Sequence, residues 1–175
     1  MENKKSMFSY ALNPGVILGI VLILIAVIIY VIGIDPIENK WAGIPAYFAI
    51  ALVIFYSQKN YRDQQNNGFL SIGEAVKLGV TIAVIGGVFY AIYNIIFVTV
   101  IEPDFVEDML LKTEEQILEQ NPEITDDQLD MAMGITRKIS SPALSIPLAI
   151  IGNAIVGLIF SLITGLILKK SDSPL

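Results

Sequence analysis

Three sets of residues in this chain have types and spacings that bear on chemistry. The first lies in two apolar segments. Ala75, Gly79, Ala83, Gly87 and Ala91 recur at every fourth position, and Gly157, Ser161 and Gly165 repeat that spacing near the carboxy end. On a helix these positions share one face, and in lipid a face of small residues lets two backbones approach closely. Their chemistry is association, read either as a seam within one bundle or as an interface with another chain. The second set is Asn94 and Asn153, each several residues inside its apolar segment. If the two segments run antiparallel, the amides reach similar depth, and an amide in hydrocarbon seeks a partner on another helix. An interhelical polar pair is expected; with Tyr90 and Tyr93 nearby, the sharper reading is a polar ligand site. The third set is a polar connection containing Tyr61, Arg62, Asp63, Gly68, Ser71, Gly73 and Glu74. Ser71-Ile72-Gly73-Glu74 has the S/T-x-x-E form of a capping box, and Asn67-Gly68 is a turn signal. Arg62 and Lys77 carry charge suited to a lipid phosphate, and equally suited to simple anchoring at a membrane surface.

The absences narrow the chemistry further. The chain has no histidine and no cysteine, which removes the usual ligands for zinc, haem and iron–sulfur clusters, thiol nucleophiles and disulfides. The middle of each apolar segment holds no Asp, Glu, Lys or Arg, which argues against a proton-driven carrier. Asp126, Asp127 and Asp130 cluster without the spacing of a calcium-binding EF-hand loop. No enzyme activity, cofactor, metal or nucleic-acid partner is expected.

These residues must be positioned by helices in a bilayer. Only 16% of the chain is charged, against about 25% in an average soluble domain. Apolar segments run roughly over Gly15–Ile34, Ala42–Ser57, Ala75–Ile101 and Ala143–Leu168. About twenty helical residues cover the roughly 30 Å of a bilayer's hydrocarbon core. The first segment has no Ala-x-Ala-like cleavage site after it and reads Ile34-Asp35-Pro36-Ile37 instead, so it is expected to be a retained span. Lys4, Lys5, Lys59, Arg62, Lys77, Lys169 and Lys170 fall on one side of a four-span arrangement, against Lys40, Lys112, Arg137 and Lys138 on the other. The positive-inside rule then puts both termini in the cytoplasm. Trp41, Tyr47, Tyr56 and Tyr61 near the segment ends suit an interfacial aromatic belt.

Residues 102–142 form an acidic insert with eleven carboxylates against Lys112, Arg137 and Lys138. Phe105, Met109, Leu110, Ile117 and Leu118 recur at helical spacing, predicting an amphipathic helix over about Asp104–Gln120. Asn121-Pro122 stops it. Thr125-Asp126-Asp127-Gln128 is a second capping box, and Ser140-Ser141-Pro142 closes the helix that it opens. The predicted fold is therefore all-α: a single polytopic membrane domain of four transmembrane helices, with an extracytoplasmic acidic helical hairpin between the third and fourth.

The short motifs now carry a resemblance. Tyr61-Arg62-Asp63, then Gly68-Phe69-Leu70-Ser71-Ile72-Gly73-Glu74-Ala75, then the acid–proline exit Ile101-Glu102-Pro103-Asp104-Phe105 make the chain resemble the DUF4199 family of four-span bacterial proteins over almost its whole length. The resemblance implies that architecture and an address in the bacterial inner membrane. It also implies a setting among envelope-sugar proteins, including membrane glycosyltransferases. The expected function is a non-enzymatic accessory or assembly subunit, in contact with the lipid bilayer and binding another membrane protein, with a lipid-linked glycosyltransferase as one concrete partner. The alternative is a small transporter or pore built from a homo-oligomer.

Overall fold

Side-chain caps fix where three of the described helices begin. A computed structural model describes residues 6–36 and 38–170. It contains helices α1 (Met7–Val31), α2 (Ile44–Asn60), α3 (Ile72–Ile96), α4 (Phe105–Gln120), α5 (Asp126–Ser140) and α6 (Pro142–Leu168). Wide π turns over Tyr61–Gln65 and Phe97–Ile101 extend α2 and α3. The described residues form no strand, only one isolated antiparallel bridge between Leu70 and Lys170. The fold is all-α.

Both capping boxes are formed. The hydroxyl of Ser71 accepts from the backbone N–H of Glu74 while the Glu74 carboxylate accepts from the N–H of Ser71, and Thr125 and Gln128 do the same at α5. Helix α1 starts earlier than the apolar run at Gly15, because the Ser6 hydroxyl accepts from the N–H of Ser9 at 3.2 Å and caps it. Hydropathy marks the charge-free stretch; the cap marks the helix.

Among the described residues, three elements are long and apolar enough to cross a membrane: Met7–Val31, Ile72–Ile101 and Pro142–Leu168. Helix α2 has 17 residues, about 25 Å at 1.5 Å per residue and short of the roughly 30 Å hydrocarbon core. The lysines at positions 4 and 5, which enter the charge count for orientation, lie outside the described residues.

Contacts fix the relative directions of the helices. Gly15 meets Ile85 and Gly19 meets Phe89, so numbers rise together and α1 is parallel to α3. Gly165 meets Ala75 and Gly87 meets Asn153, so α6 is antiparallel to α3. Helix α3 packs most extensively on α6 and α1, with α2 closing the bundle against α6 and α1. The core is Leu18, Ile54, Leu78 and Ile82, all fully buried, at the half of the bundle nearer the α2–α3 connection. Trp41, Tyr47 and Tyr56 are exposed, as a belt requires, but Tyr61 is not. It stands at the start of the π turn and packs its ring edge against Tyr10 at 5.2 Å, inside the core.

Candidate functional site

The small residues meet across the α3–α6 contact. A Cβ placed on Gly165 would lie 2.8 Å from the Cβ of Ala75, one on Gly79 would lie 2.9 Å from that of Ser161, and one on Gly87 would lie 3.1 Å from that of Asn153. Gly157 faces Ala83 between these pairs. Ala75, Gly79, Ala83, Gly87, Ala91, Gly157, Ser161 and Gly165 are all buried within this one chain. Every fourth residue on one helix therefore opposes every fourth residue on the other, in descending order.

At the α2–α3 end the bundle holds a polar knot that sequence reading missed. Gln58 is 0% exposed. Its amide donates to the carbonyls of Ala75 at 3.0 Å and Ser161 at 3.4 Å, and its oxygen accepts from the Thr164 hydroxyl at 2.7 Å. One side chain thus joins α2, α3 and α6. Its position in the run Ser57-Gln58-Lys59-Asn60 reads as the start of a loop; the usable signal was the isolated Ser161 and Thr164 in an otherwise apolar segment.

The polar connection wraps this end. Arg62 pairs with Asp63 at 2.7 Å and donates to the carbonyl of Leu168 at 3.3 Å, so its charge sits at the carboxy terminus of α6. Cations are favoured there because the last helical carbonyls are unsatisfied. The hydrogen bond from Arg62 holds Asp63 below the ordinary carboxylate range, and the same bond raises Arg62. Asn67 and Gly68 have φ of 52° and 82°, the left-handed turn in which glycine is unstrained. Asn66 donates to the Phe69 carbonyl at 2.8 Å and to Glu74 at 3.2 Å. Gly73 has open space around it. Leu70 and Lys170 exchange two backbone hydrogen bonds of 3.1 Å, which tie the connection to the end of α6.

The opposite end of the bundle is open. A cavity of about 550 Å³ lies between α1, α2, α3 and α6, under the α1–α2 loop and α4. Tyr90, Tyr93, Asn94 and Asn153 all line it. The structure brings both asparagines to one space without joining them. The Asn153 amide donates to the carbonyl of Ala149 on its own helix at 3.0 Å, and among the described residues no hydrogen bond links it to Asn94.

Helix α4 is fastened over this space from two sides. The Tyr30 hydroxyl donates to Glu102 at 2.5 Å, and Phe97 packs edge-on between Tyr30 at 5.1 Å and Phe105 at 5.3 Å. Lys112 forms an ion pair with Asp35 on the α1–α2 loop, with Glu38 3.6 Å away. The Asp35 contact holds the Lys112 ammonium above the ordinary lysine range. No group of three or more metal-ligating side chains occurs among the described residues.

The comparison with curated proteins and the comparison with solved structures returned no match. A family model described as a protein of unknown function, DUF4199, matches residues 13–170. The span of that match takes in the seam, the polar knot and the cavity alike, and the chain belongs to the DUF4199 family.

Proposed function

We propose that this chain is a non-enzymatic accessory subunit of the bacterial inner membrane, which binds another envelope protein through its acidic helix pair. In this reading α2 also crosses the membrane, as the second of four spans, both termini are cytoplasmic, and α4 and α5 project outward. The observation that carries the proposal is an apolar stripe left uncovered on α5. Met131, Ile135 and Ile139 recur at helical spacing and are 70%, 55% and 48% exposed. Leu111 and Leu118 are exposed on α4, beside Glu114, Glu115 and Glu119. A helix outside the hydrocarbon gains by covering such a stripe, and the surrounding carboxylates favour a partner with basic residues. The seam of α3 and α6 supports the same reading by default, since its small residues are consumed within the bundle. A lipid-linked glycosyltransferase is the concrete partner suggested by the envelope-sugar setting that the family resemblance implies.

The test is a pull-down of the tagged protein from native membranes in mild detergent, alongside a Met131→Glu/Ile135→Glu variant. A stoichiometric second protein should be retained by the wild type, lost from the variant and weakened by salt. Recovery of the chain alone, or retention of the partner by the variant, argues against docking on this stripe. The alternative, a small oligomeric transporter or pore, draws on the cavity with its two asparagines and two tyrosines. Against it, Leu18, Ile54 and Ile82 are fully buried and fill the other half of the same bundle. A conduit would have to run between copies, and a cross-linked monomer would remove this alternative.

A further inference from the structure

The cavity under α4 has two unlike walls and a charged rim. Leu22, Ile25 and Ile29 of α1 with Ala46 and Ile50 of α2 form an apolar wall, and Tyr90, Tyr93, Asn94 and Asn153 form a polar one. The hydroxyls of Tyr90 and Tyr93 and the amide of Asn94 have no hydrogen-bond partner among the described residues. Hydrogen-bonding groups left open beside an apolar wall suit an occupant that supplies both kinds of surface. At the rim, Asp35, Glu102 and Asp108 stand against Lys112 alone, and Lys112 is engaged by Asp35. Glu102 accepts from the Tyr30 hydroxyl, and the Tyr30 ring begins an edge-on row with Phe97 and Phe105. Carboxylates beside aromatic rings attract an organic ammonium through charge and through the negative ring faces, and they repel a phosphate.

We infer that this cavity binds one amphiphile with an ammonium head group. The head sits at the rim by Glu102 and Asp108. An amide, ester or hydroxyl next to it meets Tyr93 and Asn94, and the apolar chain lies along α1 and α2. The size falls within the usual range for small-molecule pockets, about 300–1,000 Å³. This site is separate from the stripe on α5, so either proposal can fail alone.

The experiment is calorimetric titration of the full chain in nanodiscs of zwitterionic lipid with N-aminopropyl decanamide, which has the ammonium, the amide and the chain. Its chain-matched alcohol (N-hydroxypropyl decanamide) and carboxylate (N-decanoyl-β-alanine) test the head group, and N-aminopropyl acetamide tests the need for the chain. The amine should bind saturably, one per chain. The alcohol should bind about tenfold more weakly, the size of one lost charge contact, and the carboxylate more weakly still. Glu102→Gln should weaken the amine about tenfold more than the alcohol, which narrows the ratio of their affinities. Ala26→Phe, which fills the apolar side, should weaken both. Because Glu102→Gln is read as the ratio of amine to alcohol affinity, a general loss of folded protein does not imitate the effect. Equal binding of alcohol or carboxylate, an unchanged ratio in Glu102→Gln, or unchanged binding in Ala26→Phe overturns the assignment. Equal affinity for the chainless amine overturns its amphiphile part.

Discussion

Gly79 and Ser161 touch so closely that a single carbon added to Gly79 would lie 2.9 Å from the Cβ of the serine and nearer still to its hydroxyl. This contact sits at the centre of the α3–α6 seam. Where two helices meet at small residues, the attraction is the dispersion gained by close backbones, and any added side chain separates them.

Gly79→Leu should therefore destabilise the bundle by about 1–3 kcal/mol, the usual range for overpacking. Gly87→Leu should cost less, because what it meets first is the side chain of Asn153 at 3.1 Å rather than a contact already closed. Gly73→Leu, with nothing within 4 Å of its added carbon, should stay within about 0.5 kcal/mol of wild type. Thermal unfolding of the three variants in one detergent checks the ranking. Equal melting temperatures for Gly79→Leu and Gly73→Leu would mean that the seam is not a contact.

Gln58 makes its bonds where water is excluded, but two of its partners are backbone carbonyls already engaged in helices. Without Gln58, the single proton of the Thr164 hydroxyl has the Phe160 carbonyl at 2.8 Å as its acceptor. Gln58→Leu should thus lose only about 0.6–1.7 kcal/mol, the range for interhelical hydrogen bonds in membranes. Gln58→Ala should lose more, since it also opens a void. Denaturation of both variants distinguishes them, and a larger loss for leucine than for alanine contradicts this reading.

The ion pair between Lys112 and Asp35 should have a pH signature. Its Lys112 pKa is raised, so the contribution is fully present below the ordinary lysine range and lost as pH rises through the raised value. Nitrogen NMR of the lysine side chains should show Lys112 titrating above the ordinary lysine range, and Asp35→Asn should lower it. A wild-type Lys112 that titrates in the ordinary range would remove the clasp on α4.

Arg62 closes the end of α6 through the Leu168 carbonyl and holds Asp63 in its ionised form. Arg62→Gln should speed hydrogen exchange at the last turn of α6 and at Lys170, and let Asp63 titrate at a higher pH. Asp63 is depressed in the folded state, so its contribution is present above the ordinary carboxylate range and lost in acid. The pair is exposed and screened by solvent, so global stability should change little. Unchanged exchange at residues 165–170 would show that Arg62 is a surface charge only.

The sequence by itself determined the all-α class, the capping boxes at Ser71 and Thr125 and the acidic helix pair, because these depend on neighbours within four residues. It also determined which positions of α3 and α6 carry no bulk, since a repeat of four is one helix face whatever it faces. Tertiary structure alone decided what that face meets. The descending register from Ala75–Gly165 to Gly87–Asn153 is a property of two helices separated by the whole acidic insert, and helical spacing says nothing about it. The same holds for Gln58 and Tyr61, which read as the wet beginning of a loop and are buried by α3, α6 and α1. Asn94 and Asn153 were visible as polar groups in apolar helices. That they border one cavity, with Asn153 bonded to its own helix, follows from where the bundle opens, and only the packing of all its helices fixes that point.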